Sequence, residues 1–316
     1  MPDGRSAEET RGVLVAGAIN TDLVARVQTA PGAGETVIGH DFAIFGGGKA
    51  ANQAVAVARS QARIAMLGAV GDDDFGRQRL ADLSAEGIDV RDVAVVTGEP
   101  SGVALITVEE RSAQNRIANV LGATTTVTPE QATRAVERTR PAVVLTTLEL
   151  PPPTLLALVA AAKQTGATVI LNAAPSAAVG RELIAKIDVL IVNETEAGDL
   201  LGHPVVAGAG AETALALSDL GPPAVVVTLG AEGAVIAHAG ETTTLAAPAV
   251  EVRDTTGAGD AFCGAMAARL ATGDSLVLSA QAGVSAGSLA TTRAGAQPSM
   301  PTREEIARLT AAQSPA

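Results

Sequence analysis

Three short runs, 168–171, 189–192 and 224–228, are continuously apolar apart from a threonine at one end of the first and the last, without the alternation of a strand that has one face in water. Unbroken runs of this kind belong to strands covered on both faces, as in a parallel sheet between two layers of helices. The flanking segments agree. Val13 to Ala18, Ile64 to Val70 and Ala142 to Thr146 read as further strands, and Ala50 to Ser60, Phe75 to Glu86 and Thr154 to Lys163 as helices between them. The alternation predicts an α/β fold, a three-layer αβα sandwich around a mostly parallel central sheet, ending in helices over 276–290 and 303–310. With 316 residues, 47% of them hydrophobic, the chain is long enough to bury a large core.

Two segments interrupt that rhythm. Residues 21–45 and 102–122 hold strand-like stretches (Glu35 to Ile44, Val103 to Val108, Arg116 to Leu121) with no helix between them. They predict a small second sheet placed as a β lid over a pocket, where it would exclude water; edge hairpins with no lid role are the other reading. The expected division is a disordered tail over 1–12, an αβα core from 13–20, 46–101 and 123–312, and the lid from 21–45 and 102–122.

Composition narrows the partners. A net charge of −12 disfavours nucleic acid and anionic membrane surfaces, which call for basic patches. The one cysteine, Cys263, excludes an internal disulfide and fits a reducing cytoplasm; its setting on an apolar helix reads as buried packing. The polar, acidic first ten residues do not resemble a signal peptide, and the stretch 150–162 is too short, with three prolines, to cross a bilayer. A soluble, cytoplasmic protein is expected. His40, His203 and His238 are scattered without metal-ligand spacing.

Chemistry concentrates in Asp254-Thr255-Thr256-Gly257-Ala258-Gly259-Asp260. Read with Val250 to Arg253 as a strand before it and an Ala-rich helix after it, this is a glycine turn opening a helix, whose free N–H groups and dipole attract an anion such as phosphate. Asp260 beside such a site repels that anion. It serves either as a helix cap or as a general base for a hydroxyl attacking phosphorus. A second glycine turn, Gly46-Gly47-Gly48-Lys49-Ala50-Ala51-Asn52-Gln53, adds a cation and an amide, and only Lys49, Lys163 and Lys186 occur in the chain. It matches G-x-G-x-x-A loosely but lacks the acid about 20 residues on, and it is not a P-loop, which disfavours a dinucleotide-dependent oxidoreductase. Asn20 and Asp22 follow the first strand, where open α/β sheets bind ligands, and with Lys49 and Asn52 they suit sugar hydroxyls. Turn residues are the other reading of that pair.

Together these segments resemble the ribokinase (PfkB) family of carbohydrate kinases over about Val13 to Ile306. The resemblance rests on 47–54, Val70-Gly71-Asp72-Asp73-Asp74-Phe75-Gly76, Asn193-Glu194-Thr195-Glu196, 228–233, 254–260 and Gly295-Ala296-Gln297-Pro298-Ser299. It implies ATP-dependent phosphorylation of the 5-hydroxyl of D-ribose, with Asp260 as base and Gly257, Ala258 and Gly259 as anion hole. Sugar contacts would be Asn20, Asp22, Gly48, Lys49, Asn52 and Glu149; nucleotide contacts Asn193, Thr228, Gly230, Gly233 and Gly259. Glu196 would hold Mg²⁺ through water, and Asp254, Thr256, Ala290, Arg293, Gly295 and Ser299 an activating K⁺. The resemblance also implies a homodimer through the lid. Departures are Ala50 in place of a usual glycine, a glycine-free turn at 109–114, Asn119 where an apolar residue meets the sugar, and Thr124 in place of Asn. They leave open another pentose, deoxyribose or a nucleoside as substrate, and outside the class a non-catalytic sugar-binding protein.

Overall fold

The computed structural model describes residues 12–110, 115–176 and 180–313. Residues 1–11 of the expected tail and the turn residues 111–114 lie outside them. In chain order the elements are β1 (Val13–Ala16), β2 (Asn20–Val27), β3 (Asp41–Gly47), α1 (Lys49–Arg59), β4 (Ile64–Gly71), α2 (Asp74–Ala85), β5 (Asp89–Val96), β6 (Gly102–Glu109) and β7 (Asn115–Val120). Then come α3 (Pro129–Thr139), β8 (Val143–Thr146), α4 (Pro152–Gln164), β9 (Thr168–Asn172), α5 (Arg181–Ile184), β10 (Val189–Asn193), α6 (Glu194–Leu201), α7 (Gly210–Ser218) and β11 (Ala224–Thr228). The last part holds β12 (Ala234–His238), β13 (Glu241–Leu245), α8 (Ala258–Ala271), α9 (Leu276–Ala290), α10 (Ala296–Ser299) and α11 (Arg303–Gln313).

Nine strands form one sheet in the order β13-β12-β11-β10-β9-β8-β1-β4-β5, parallel except for the antiparallel pairings of β12 with β11 and β13. Alternate residues of β1 show the layering. Val13 and Val15 enter a core with Val55 and Val57 of α1 and Ala261 and Ala265 of α8, while Leu14 and Ala16 enter a second core with Val136 of α3 and Leu158 of α4. Each large aliphatic side chain so buried contributes roughly 1.5–3 kcal/mol. Small residues bring α8 onto α1: a Cβ on Gly264 would stand 2.5 Å from Ala56 Cβ and 2.6 Å from Gln53 O.

The two excursions meet in a separate four-stranded sheet, β3-β2-β6-β7, in which β2 and β6 run parallel. Its outer face exposes Phe42, Ile44, Leu105 and Val120.

The structure corrects two expectations. Val250 to Arg253 is not a strand: it pairs with none of the described strands, and the N–H groups of Arg253 and Asp254 both reach Thr291 O, at 2.8 and 3.1 Å. The alternation there comes from an extended connection with Val252 in solvent. The strand expected from Glu35 begins only at Asp41, because pairing with β2 ends at Arg26 and leaves 35–40 without a ladder partner. Helix α3 escaped the periodicity, although Thr128 and Gln131 form a capping box with Pro129 behind it.

Candidate active site

Chain order in the large sheet changes direction between β1 and β8: β4 and β5 continue from β1 on one side, and β8 begins the other. Loops leaving the carboxyl ends of such neighbours diverge and open a crevice. Glu149, just after β8, lies there with only 4% of its surface exposed. Its Oε2 accepts from Ala18 N at 3.1 Å and from Thr147 Oγ1 at 2.9 Å, which ties the two loops together. Burial raises its carboxyl pKa against those two donors.

Asp260 occupies the first turn of α8, opposite the first turn of α1. Its Oδ2 accepts from Asn52 Nδ2 at 2.9 Å and its Oδ1 from Gln53 Nε2 at 3.1 Å, so both oxygens are held in place. Gln53 Nε2 also reaches Asn172 Oδ1 at 3.0 Å, at the end of β9. Burial raises the pKa of Asp260, while Lys49 and the two amides pull it back. Lys49 shows the reverse balance: burial lowers its pKa, but Asp260, Glu196 and Glu149 outweigh that and keep it charged. Asp22 is pushed up to about 6, by burial first and by Asp260 next, with Arg79 opposing. One lysine thus stands among four acids.

A cavity of about 220 Å³ adjoins these groups, lined by Lys49, Asn172, Asn193, Glu196, Thr228, Thr255, Gly257, Ala258, Gly259, Asp260 and Cys263 among others. Gly257 begins α8 at φ 77°, where a Cβ would sit 2.9 Å from Ala296 Cα. A Cβ on Gly259 would meet nothing within 4 Å. Ala258 N bonds Thr255 O at 3.2 Å. Asn193 and Glu196 form the capping box of α6, Glu196 Oε2 accepting from Asn193 N at 2.9 Å. Thr228 Oγ1 donates to Val192 O. Gly230 and Gly233 do not line the cavity; Gly233 has a packing reason, since its Cβ would meet Leu245 O at 2.0 Å. A roomier cavity, about 270 Å³, lies between α8, α9 and α11, apart from these polar groups.

Beyond the start of α8, Asp254 accepts from Thr256 N and Oγ1 through Oδ1, and from Gly295 N at 2.8 Å through Oδ2. Ala290 O accepts from Arg293 N, but the Arg293 side chain turns to Glu305. Buried Ser299 donates to Ala296 O at 2.7 Å. Among the described residues there is no group of three or more His, Cys, Asp or Glu disposed to hold a metal.

Sequence reasoning gave no role to Gln53, Asn172, Thr147 or Arg79. Gln53 was within reach, four residues after Lys49 and so on the same helix face. Nothing local marks Arg79, whose guanidinium lies on the inner face of α2 with Nε and Nη1 unpartnered. Three side-chain carbonyls around the crevice, Asn20 Oδ1, Asn52 Oδ1 and Gln53 Oε1, are buried without a hydrogen-bond partner, as is Thr124 Oγ1. The arrangement suits a polyhydroxylated ligand: carboxylates and carbonyls accept from hydroxyls, and a helix start takes an anion.

The profile of the pfkB family carbohydrate kinases matches residues 10–303. The chain is 35% identical over 296 residues to the ribokinase of Haemophilus influenzae, covering 93% of this chain and 96% of the other. It is also 35% identical over 261 residues to the deoxyribokinase of Salmonella typhi, covering 81% and 84%. The structure of Arabidopsis thaliana ribokinase complexed with ribose and ATP superposes with a TM-score of 0.85 at 29% identity, covering 95% of this chain and 98% of that one.

Proposed function

This chain belongs to the pfkB family of carbohydrate kinases, and on that premise we propose that it transfers the γ-phosphoryl group of ATP to the 5-hydroxyl of D-ribose, giving D-ribose 5-phosphate and ADP. The observation that carries the reading is Asp260, a carboxylate fixed by two amides at an open helix start beside a cavity.

In this reading Asp260 takes the proton of the sugar hydroxyl as its oxygen bonds to phosphorus, and the bond from the γ-phosphorus to the bridging oxygen breaks to release ADP. The N–H groups at the start of α8, around Gly257, Ala258 and Gly259, would face the phosphoryl oxygens, that of Ala258 by giving up its 3.2 Å bond to Thr255 O, so that developing charge meets fixed donors. Asn20, Asp22, Gly48, Lys49, Asn52 and Glu149 hold and orient the sugar. The orphaned carbonyls of Asn20 and Asn52 fit that task, because a sugar hydroxyl would supply the missing donors. Asn193, Thr228, Gly230 and Gly233 belong to the nucleotide side, the glycines acting through backbone. The four-stranded sheet acts as a lid that keeps water from the transfer.

Mg²⁺ fits the cavity through Glu196, a hard carboxylate on its lining, held by way of water; it would offset the charge of the phosphates. K⁺ would be held at Asp254, Thr256, Ala290, Arg293, Gly295 and Ser299, mostly through backbone carbonyls, in the loops that Asp254 ties to Gly295, and would steady the turn before α8. The apolar outer face of the small sheet supports a homodimer through the lid, and the single buried cysteine is in keeping with the cytoplasm.

A second reading, 2-deoxyribose as preferred substrate, is favoured by the Salmonella typhi relative. ADP release with Mg-ATP and K⁺ across ribose, 2-deoxyribose, arabinose, xylose, fructose and nucleosides decides between them by kcat/KM. Highest kcat/KM for ribose supports the first reading; highest for deoxyribose replaces it; no turnover on any sugar overturns the kinase.

A further inference from the structure

Asn119 on β7 carries a contact that the reaction described above does not use. Asn20 Nδ2 donates to Asn119 Oδ1 at 2.8 Å, across the intervening strand β6. The register explains how the two side chains meet. Asp22 pairs with Ala104 and Ala104 with Asn119, so these three share a face, and Asn20, two residues before Asp22, shares it too. Between the asparagines the strand is stripped to glycine: Asn20 pairs with Gly102, where a Cβ would fall 2.1 Å from Asn20 Oδ1.

The pair is half satisfied. Asn20 is 2% exposed and its Oδ1 has no partner, an arrangement whose desolvation cost a ligand donor would relieve. One hydrogen bond between two primary amides uses one donor and one acceptor. Whichever way the amides are turned, an N–H group and a carbonyl remain, one on each residue. The group that both accepts from an N–H and donates to a carbonyl, and is small enough to sit between them, is a hydroxyl. Asp22, on the same face, stands ready for its neighbour in a diol.

We propose that Asn119 is a specificity-determining residue, which together with Asn20 reads one hydroxyl of the sugar other than the one that meets Asp260. The inference rests on the sugar-kinase reading and adds to it the position that sets selection. It makes the enzyme sensitive to a missing hydroxyl at one ring position and indifferent to the others, as far as Asn119 is concerned.

A cycle between enzyme and substrate tests it. Wild type and Asn119→Leu are compared on D-ribose and on its 1-, 2- and 3-deoxy analogues, by kcat/KM and by calorimetric sugar binding without nucleotide. On ribose the variant should lose about 10- to 100-fold in kcat/KM, mainly through KM. On one analogue, the one lacking the hydroxyl that Asn119 reads, the penalty should shrink to about 3-fold or less, since the interaction is already gone. An equal penalty on all four sugars means a structural role and overturns the proposal, as does no penalty on ribose. Asn119→Asp, which keeps the acceptor and loses the donor, should show the same position-specific loss and serves if the leucine variant does not fold. Wild-type turnover of ribose tests the substrate separately: if wild type prefers another sugar, that reading falls and the cycle is run on that sugar and its deoxy forms. Binding of no sugar at all defeats both.

Discussion

Helices α1 and α8 both begin at glycines, neither start has a side-chain cap, and the two helices pack against each other, yet they present opposite things to the space between them. The start of α8 offers backbone N–H groups and one carboxylate; that of α1 offers side chains, a lysine and two amides. Gly48 stands at φ 88° because a Cβ there would meet Ala18 O at 2.5 Å, so the turn is pinned against the end of β1. A Cβ on Gly259 would meet nothing within 4 Å. The start of α2 makes the contrast plain, since Asp73 takes the N–H of Gly76 and leaves that start closed. A helix start that satisfies itself builds the fold, and one left open by glycine can bind. In the proposed reaction the difference between α1 and α8 becomes a division of labour: one would position the acceptor, the other would hold the charge that moves.

The sharpest way to break that division is Asp260→Asn, which keeps shape and removes the proposed base. We expect kcat to fall by about 10² to 10⁴ with sugar affinity nearly kept. Steady-state rates with calorimetric sugar binding check it, and a kcat near wild type would move the base elsewhere. Next, Lys49→Ala should raise the sugar KM by about 10- to 100-fold, through loss of a charged donor, with less effect on kcat. An unchanged KM removes α1 from sugar binding.

Two smaller effects sharpen the packing and the charge. Gly264→Ala pushes α8 off α1, and overpacking should outweigh the gain in helix propensity by about 1–2 kcal/mol, lowering Tm. Gly259→Ala is the control, expected to leave Tm unchanged or slightly raised, because its Cβ enters open space and alanine is the better helix former. Equal Tm values for both would show that the contact with Ala56 is not tight. The smallest effect belongs to Asp22. Its folded pKa, about 6, lies above the ordinary 3.8, so its contribution to stability is full below that ordinary value and is lost as pH rises through 6. Asp22→Asn escapes that loss. Between pH 4 and pH 7 the variant should gain about 1 kcal/mol on wild type, allowing for partial exposure, in unfolding titrations without ligand. A parallel pH dependence in the two proteins would mean that Asp22 titrates normally.

Much of this was legible in the residues. Continuous apolar runs marked β9, β10 and β11, because burial on both faces removes the need for polar residues at every second position. The glycine turns announced both helix starts. What escaped was of two kinds. Val250 to Arg253 alternates like a strand but has nothing to pair with, and pairing is a property of neighbours, not of the segment. Gln53 and Asn172 act through partners far along the chain, Gln53 being 207 positions from Asp260 and 119 from Asn172, whereas Thr147 is only 2 from Glu149. Only the last was within local reach, and a threonine in a loop is too common to stand out. Asn119 stood out by residue type, but its contact with Asn20 needed the register.

The parallel pairing of β2 with β6 has a mechanical consequence. The chain enters the small sheet at Asn20 and Gly102 and leaves it at Gly47 and Val120, and the register sets these four crossings side by side: Asn20 opposite Gly47 and Gly102, and Val120 opposite Val103. All the covalent links to the large sheet therefore lie along one row, like the pins of a hinge. A swing of the small sheet turns about that row. Val27, seven residues up β2, is about 23 Å from it, so a rotation of about 10° carries that end some 4 Å while Asn20 hardly moves. The wide travel is left to the far edge, and the grip stays at the axle.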